Sequence, residues 1–163
     1  MIPFGKEISG FLRAAHEQNL RVLLVGGGAV NFHGYQRHSA DIDLWVEPSA
    51  ENFDRLLNVL RSLGYELNNL PEAVLRQEQN ISIKISPDME IELITRFNPG
   101  RTFEEAWAHS ETSELAGEPV ALYRVLSYDD LIASKLRSAR PKDLLDVQEL
   151  KRKKDEGVSG SSL

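Results

Sequence analysis

The chain has 163 residues, of which 41% are hydrophobic and 27% are charged, a balance typical of a soluble globular protein. It contains no cysteine, which excludes a disulfide framework, a zinc–cysteine site and a cysteine nucleophile. The formal net charge of −6 argues against an extensive nucleic-acid surface, although it leaves room for a nucleotide held by local cations. We expect a single domain over residues 1–154 and a disordered, glycine- and serine-rich tail over residues 155–163.

Membrane and export signals are missing from this sequence. No apolar run approaches the roughly 20 residues that a transmembrane helix requires. Residues 1–10 lack the basic start and the long apolar middle of a signal peptide. We therefore expect a cytoplasmic protein with no membrane partner.

The first third of the chain alternates between helix and strand patterns. Apolar residues at helical spacing predict a helix from Phe4 to Gln18, and a buried strand follows from Val22 to Val25. Three glycines separate that strand from a short helix, Ala29 to Phe32. A second strand is predicted from Asp41 to Val46.

The rest of the chain begins with a long amphipathic helix, for which Ser49 is a suitable N-cap and Gly64 a suitable end. Alternating isoleucines over residues 81–85, a Pro-Asp turn and a second strand over residues 89–94 predict a β-hairpin. The remaining predicted elements are a helix from Thr102 to Ala108, an edge strand from Glu118 to Leu122, a helix from Ser127 to about Ser138 and a helix from Lys142 to about Lys153.

Two aspartates enter the second predicted strand one residue apart. Residues i and i+2 of a strand point to the same face, so Asp41 and Asp43 place two carboxylates side by side. Such a pair repels unless a cation lies between the two groups. Mg²⁺ suits this position because it prefers oxygen ligands and often combines one or two carboxylates with substrate phosphates. A solvated strand edge is the ordinary alternative for an isolated Asp-x-Asp.

The glycine run, Gly26 to Gly28, follows the first strand directly. Without side chains, its backbone N–H groups can approach a phosphate closely at the start of a helix. A tight strand–helix turn is the alternative, and the run is neither G-x-G-x-x-G, because Asn31 occupies the last position, nor a P-loop. Together with paired carboxylates, it indicates a nucleoside triphosphate site.

Three short motifs follow one another in this region: Gly27-Gly28 with Ala29 next, His33-Gly34-x-x-Arg37, and Asp41-Ile42-Asp43-Leu44. The combination resembles the polymerase-beta-type nucleotidyltransferase superfamily. More narrowly, it resembles the small bacterial nucleotidyltransferases of the abortive-infection, toxin–antitoxin type. The resemblance continues to about residue 150. One departure is that the superfamily's usual Gly-Ser is Gly-Gly here, which removes a hydroxyl that often contacts a phosphate.

The resemblance implies an α/β (α+β) fold, with a small mixed β-sheet covered mainly on one side by helices and a C-terminal helical hairpin that closes the cleft. It also implies a metal-dependent transfer of a nucleoside monophosphate from an NTP to a hydroxyl acceptor, with release of pyrophosphate. Two Mg²⁺ ions would be held by Asp41, Asp43 and a third carboxylate. Glu92 matches that third position, with Glu in place of Asp, and Glu90 shares its strand face as the alternative.

Nucleotide binding would extend to residues outside the acidic pair. Gly27 and Gly28 would hold the β- and γ-phosphates through backbone N–H groups. Arg37 is either an ordinary surface charge or a partner of the aspartates or the triphosphate. Lys135 lies on an otherwise apolar stripe, so it either reaches out to water or points into the cleft at phosphates, and we favour the cleft.

Four further polar residues have simpler structural interpretations. His33 is more simply interpreted as a partly buried histidine with its hydrogen bonds satisfied than as a ligand or a base. An ion-pair network that joins two helices is a simpler interpretation than a role in the site for Arg140, Asp143 and Asp146.

Two classes of function other than an enzyme are also compatible with the sequence. The two departures, Gly-Gly for Gly-Ser and Glu for Asp, are compatible with a catalytically inactive module that binds nucleotide or a partner protein. A plain scaffold without ligand would require the glycine and carboxylate spacing to be coincidence. For the enzyme, the acceptor is a protein side chain, a tRNA end or a small molecule such as an aminoglycoside, and the toxin–antitoxin resemblance suggests an antitoxin partner.

Overall fold

The computed structural model describes residues 4–37 and 41–161, with side chains described as far as residue 157. Within these ranges the chain forms seven helices and six strands. The helices are α1 (Lys6–Glu17), α2 (Gly26–Phe32), α3 (Ala50–Ser62), α4 (Glu72–Leu75), α5 (Phe103–His109), α6 (Tyr128–Ser138) and α7 (Pro141–Ser161). The strands are β1 (Val22–Val25), β2 (Asp41–Val46), β3 (Ile81–Ser86), β4 (Met89–Ile94), β5 (Glu111–Leu115) and β6 (Ala121–Val125).

The six strands form one mixed sheet in the order β3-β4-β2-β1-β6-β5. Strand β1 runs antiparallel to β2 and parallel to β6, while β2 runs parallel to β4. An antiparallel pair completes each side of the sheet, β3 with β4 and β5 with β6. The predicted α/β fold with a mixed sheet is confirmed, and the contacting helices α6 and α7 form its C-terminal hairpin.

The strand register brings acidic residues from two distant segments together. In the parallel β2–β4 pair, Asp41 lies opposite Glu90 and Asp43 lies opposite Glu92. On the other side of β2, Asp43 is paired with Val25, the last residue of β1. Because alternate residues of a strand share a face, all four carboxylates lie on the same face of the sheet.

The opposite face of the two acidic strands is apolar. Ile42, Leu44, Ile91 and Leu93 are all buried there. Phe11 of α1 lines a cavity together with Ile91, which places α1 on this face. Helix α3 contacts α1, and both contribute buried side chains to the same core. The alternation of β2 therefore separates the core from the acidic face.

Side-chain caps fix the starts of three helices. The Ser49 hydroxyl accepts a hydrogen bond from the backbone N–H of Asn52 at 3.2 Å, as predicted for α3. Thr102 and Glu105 form a reciprocal capping box at α5. The Ser127 hydroxyl accepts from the N–H of Asp130 at 3.1 Å and begins α6.

The region around β6 differs from the sequence prediction. The edge strand predicted over Glu118 to Leu122 is wrong, because β6 begins at Ala121 and lies between β1 and β5. The edge assignment rested on Pro119. This residue lies in the loop before β6, after a cis peptide bond. The edge strand on this side of the sheet is β5, which was not predicted because Leu115 is its one buried residue.

The last helix also runs further than predicted. Helix α7 continues to Ser161, beyond the expected end near Lys153, so the disordered tail predicted from residue 155 is not found as far as that residue. Arg152 forms ion pairs with Glu149 and Glu156, which link successive turns and support the extension. Residues 162 and 163 lie outside the described part of the chain.

Candidate active site

The glycine run forms the first turn of α2, where the backbone lies against Asp43. Gly26 begins this helix directly after β1 and has a φ of +59°. A Cβ atom on Gly26 would lie 2.4 Å from Oδ2 of Asp43, so no side chain fits between them. Gly27 and Gly28 are buried in the same turn. The Asp43 carboxylate therefore faces the bare backbone, and the glycine in closest contact is Gly26, which the sequence motifs did not single out.

The carboxylates on this face affect one another electrostatically. Burial raises the pKa of Asp43 above its ordinary value, and the negative charges of Glu92 and Asp41 raise it further. The positive charges of Lys135 and Lys142 offset part of this effect. The carboxyl group of Asp43 is thus held among like charges with incomplete compensation.

A Mg²⁺ ion at the acidic face would have to draw part of its ligand shell from the substrate. In residues 4–37 and 41–161, no three His, Cys, Asp or Glu side chains form a group able to hold a metal ion by themselves. Mg²⁺ commonly uses only one or two carboxylates, with phosphate and water oxygens completing its octahedron. Burial is the main cause of the raised pKa of Asp43, and a bound cation would relieve the repulsion from Glu92 and Asp41 that adds to it.

An ion-pair network lies beside the acidic face and joins α6 to α7. The Lys135 ammonium, only 7% exposed, lies 3.0 Å from Oδ2 of Asp146 and 3.4 Å from Oδ1 of Asp143. Arg37 donates two hydrogen bonds to Asp146, at 2.9 and 3.0 Å. Arg140 binds Asp143 in the same bidentate way, at 2.7 and 3.2 Å. The predicted helix-joining network is confirmed, and Lys135 is its centre.

The charges in this network stabilise one another. Burial raises the pKa of Asp143, but hydrogen bonds from Arg140 and the charge of Lys135 outweigh it, so the net pKa lies below its ordinary value. The hydrogen bond to Asp143 in turn raises the pKa of Arg140. Both groups are therefore ionised at neutral pH, and Asp143 is completely buried.

A cleft of about 220 Å³ lies between the acidic face and the network. Three cationic side chains line it, those of Arg96, Lys135 and Arg140. Arg96 follows β4, the strand that carries Glu92, and sequence reasoning missed it because an exposed arginine after a strand has no distinguishing pattern. The remaining lining residues are Val25, Gly26, Asp43, Ile94, Phe97, Ser134, Ser138 and Asp143.

A sequence model of the family described as nucleotidyl transferase AbiEii toxin, type IV TA system, matches residues 10–161. The chain belongs to this family. The match includes the glycine turn, the acidic strands and the α6–α7 hairpin. The AbiEii chain is therefore a nucleotidyltransferase of a toxin–antitoxin family, as its motifs predict. No curated protein matches the sequence.

His33 of the AbiEii chain has a structural role, as expected. Its Nε2 lies 2.8 Å from the carbonyl oxygen of Leu126, and because a carbonyl only accepts, Nε2 carries the proton. Its Nδ1 lies 3.7 Å from a carboxylate oxygen of Glu111. The ring also packs edge-on against Tyr128. These contacts connect α2 to β6 and α6 and thereby support the glycine turn.

None of the helices in 4–37 and 41–161 combines the length and the apolar character that crossing a bilayer requires.

Proposed function

We propose that this AbiEii-family nucleotidyltransferase moves a nucleoside monophosphate from an NTP to a hydroxyl group and releases pyrophosphate. The contact between Gly26 and Asp43 is the observation that carries this proposal. It puts a carboxylate against unobstructed backbone, next to a cleft lined by three cationic side chains. This arrangement suits a triphosphate whose reacting phosphorus lies near the acids and whose outer phosphates lie near the cations.

The proposed roles of the acids follow from their register. Asp41, Asp43 and Glu92 share one face, and they would hold Mg²⁺ together with the triphosphate oxygens. When bound, the metal supplies charge neutralisation and alignment of the reacting groups. Asp43 lies closest to the glycine turn, and Glu92 is opposite it on β4.

The transfer itself exchanges one phosphorus–oxygen bond for another. The acceptor oxygen bonds to the α-phosphorus while the bond to the pyrophosphate oxygen breaks. Glu92 takes the proton that the acceptor hydroxyl loses, and the pyrophosphate leaves with the bonding electrons. Positioning and charge stabilisation supply most of the rate enhancement in such reactions.

The phosphate contacts are divided between backbone and side chains. Gly27 and Gly28 would donate backbone N–H groups to the β- and γ-phosphates, and Arg140 would approach from the opposite wall of the cleft. Lys135 lines the cleft while two carboxylates hold it, so we propose that it contributes a fixed positive charge. Arg37 would position Lys135 indirectly, because both residues bind the carboxylate of Asp146.

A catalytically inactive, nucleotide-binding module is the second candidate. The observation that favours it is that the acids, within the described residues, do not converge into a group of three. Because the family is one of toxins of toxin–antitoxin systems, we further propose that the chain acts with an antitoxin, whichever of the two candidates holds.

Mg²⁺-dependent labelling from α-³²P NTPs separates the two candidates. The protein is incubated with each of the four NTPs and with total protein, total tRNA or an aminoglycoside as acceptor. We expect label on one acceptor class with the wild-type chain and none with Asp43→Asn. Asp54→Asn, an exposed acid on α3, is the matched control and should label normally. Equal labelling by Asp43→Asn would contradict the enzyme, and binding without labelling would favour the inactive module.

A further inference from the structure

A second cavity opens next to the cleft. Its volume is about 440 Å³, and it meets the cleft at Arg96 and Phe97, which line both spaces. Pockets for drug-sized ligands usually occupy roughly 300–1,000 Å³. The cleft alone, at about 220 Å³, falls below that range, whereas the two spaces together fall within it. A nucleotide whose phosphates occupy the cleft therefore needs additional space, which the second cavity offers.

The second cavity lies on the same face of the sheet as the acids. Trp45, which lines it, is two residues after Asp43 on β2, so the two side chains point to the same side about 7 Å apart along the strand. Ile94, the register partner of Trp45 on β4, lines the cleft. A molecule whose phosphate lies at Asp43 can thus extend along the strand into this cavity.

Aromatic rings form the walls of the cavity. Trp45 is 4% exposed, and its ring centre lies 5.2 Å from that of Phe97 and 4.9 Å from that of Phe103. Phe97 is half-buried at the junction with the cleft and lines both spaces. The amide side chains of Gln77 and Asn98 also line the cavity. Aromatic walls with a few amides suit a planar, hydrogen-bonding base.

Arg96 provides the charge at the junction. Lys135 and Arg140, the other cations of the cleft, are held by buried carboxylates of α7. Arg96 is exposed and, among the residues the structure describes, forms no hydrogen bond or ion pair. A guanidinium without a carboxylate partner is available for the forked hydrogen bonding that phosphates accept.

We propose that the second cavity receives the base of the nucleoside triphosphate, stacked on Phe97, while Arg96 binds a phosphate where the cavity meets the cleft. This assignment rests on the proposed function, since it requires the triphosphate to lie at Asp43. It adds a base-binding residue and a phosphate-binding residue, neither of which belongs to the motifs of the sequence.

Fluorescence of a single tryptophan tests the assignment. The chain has two tryptophans, so Trp107→Phe leaves Trp45 as the only reporter. This protein is titrated, in the presence of Mg²⁺, with each NTP and with inorganic tripolyphosphate, which has the phosphates but no base. We expect at least one NTP to change the Trp45 emission. Tripolyphosphate should compete with that NTP without producing the same change.

Two variants then separate the contribution of the base to binding from that of the phosphates. Phe97→Ala should weaken NTP binding about tenfold or more and leave tripolyphosphate binding unchanged, because one stacking contact is lost. Arg96→Ala should weaken the binding of both the NTP and tripolyphosphate. Tyr65→Ala, which removes an exposed ring from outside the cavity, is the control and should change neither.

The outcomes distinguish this inference from the function on which it rests. If NTP and tripolyphosphate bind equally well and Phe97→Ala affects neither, the base site is wrong while the triphosphate site stands. If calorimetry detects NTP binding that leaves Trp45 emission unchanged, the base lies elsewhere. If neither ligand binds, the proposed function fails and this inference fails with it.

Discussion

Gly26 and Asp43 are so close that a Cβ atom on the glycine would lie 2.4 Å from the carboxylate. The φ of +59° at Gly26 adds a second requirement for glycine, since side chains rarely adopt that conformation. The contact links the end of β1 to the middle of β2, and both the proposed phosphate site and the proposed metal site depend on it.

Gly26→Ala should therefore damage both stability and activity. We expect the free energy of unfolding to fall by about 1–3 kcal/mol, because of backbone strain and displacement of the Asp43 carboxylate. NMP transfer should be lost with it. Gly10→Ala is the matched control, because nothing lies within 4 Å of a Cβ atom there, and in the middle of α1 it should stabilise by about 0.5–1 kcal/mol. Urea denaturation and the labelling assay measure the two effects, and a fully active Gly26→Ala protein would contradict the geometry.

Asp43→Asn should abolish transfer yet increase stability at neutral pH. Burial, with the charges of Glu92 and Asp41, raises the pKa of Asp43 in the folded protein above the unfolded value of about 3.9. The folded state therefore binds the proton more tightly, and stability is lost as the pH rises through the folded pKa. The stability advantage of Asp43→Asn over wild type should accordingly be small near pH 4 and larger at pH 7. Denaturation curves of both proteins at pH 4 and pH 7, without metal, measure this advantage. An advantage that is larger at pH 4 than at pH 7 would contradict the prediction.

The third carboxylate can be assigned by comparing two glutamates on one strand. Glu92 lies opposite Asp43, whereas Glu90 lies opposite Asp41. If Glu92 takes the acceptor proton, Glu92→Gln should slow transfer by about 10²–10⁴-fold. Glu90→Gln should stay within a few-fold of wild type under the same conditions. The reverse ranking in the labelling assay would move the third carboxylate to Glu90.

The buried network should make Asp143 important for stability. Asp143 is completely buried and pairs with Lys135 and Arg140, so Asp143→Ala leaves the nearly buried Lys135 ammonium short of a partner. We expect a loss of about 3–5 kcal/mol. Asp155→Ala, at an exposed position of α7, should stay within about 0.5 kcal/mol of wild type.

The pH dependence of this contribution has the opposite sign to that of Asp43. The pKa of Asp143 is lower in the folded state, so its stabilisation is present above the unfolded pKa of about 3.9 and is lost as the pH falls through the folded value. The difference between wild type and Asp143→Ala should therefore shrink on acidification. A difference that is constant with pH would mean that the ion pairs contribute little.

The fold and the acidic pair could be predicted from the sequence because their signals are local. The apolar run at Val22 to Val25 and the i, i+2 spacing of Asp41 and Asp43 lie within single strands. Ser49 and Ser127 cap helices within three residues of the groups they bind. Such patterns do not depend on which distant segments later pack together.

The rest depends on long-range pairing that no local pattern records. The position of Glu92 opposite Asp43 follows from a parallel strand pair with a long connection. The apolar stripe around Lys135 leaves open whether its ammonium reaches water or the cleft, and it does not show that Asp146 of the next helix will hold it. Arg96 is a candidate phosphate-binding residue only because β4 ends beside the cleft. Strand β5 went unrecognised because an edge strand with one buried residue resembles a loop.

A crystal structure with Mg²⁺ and a non-hydrolysable NTP analogue tests the central claim most directly. We predict a cation about 2.0–2.1 Å from the carboxylate of Asp43. The triphosphate should lie between the glycine turn at Gly26 and the guanidinium of Arg140. A nucleotide bound elsewhere, or an empty cleft at saturating nucleotide and Mg²⁺, would contradict the account.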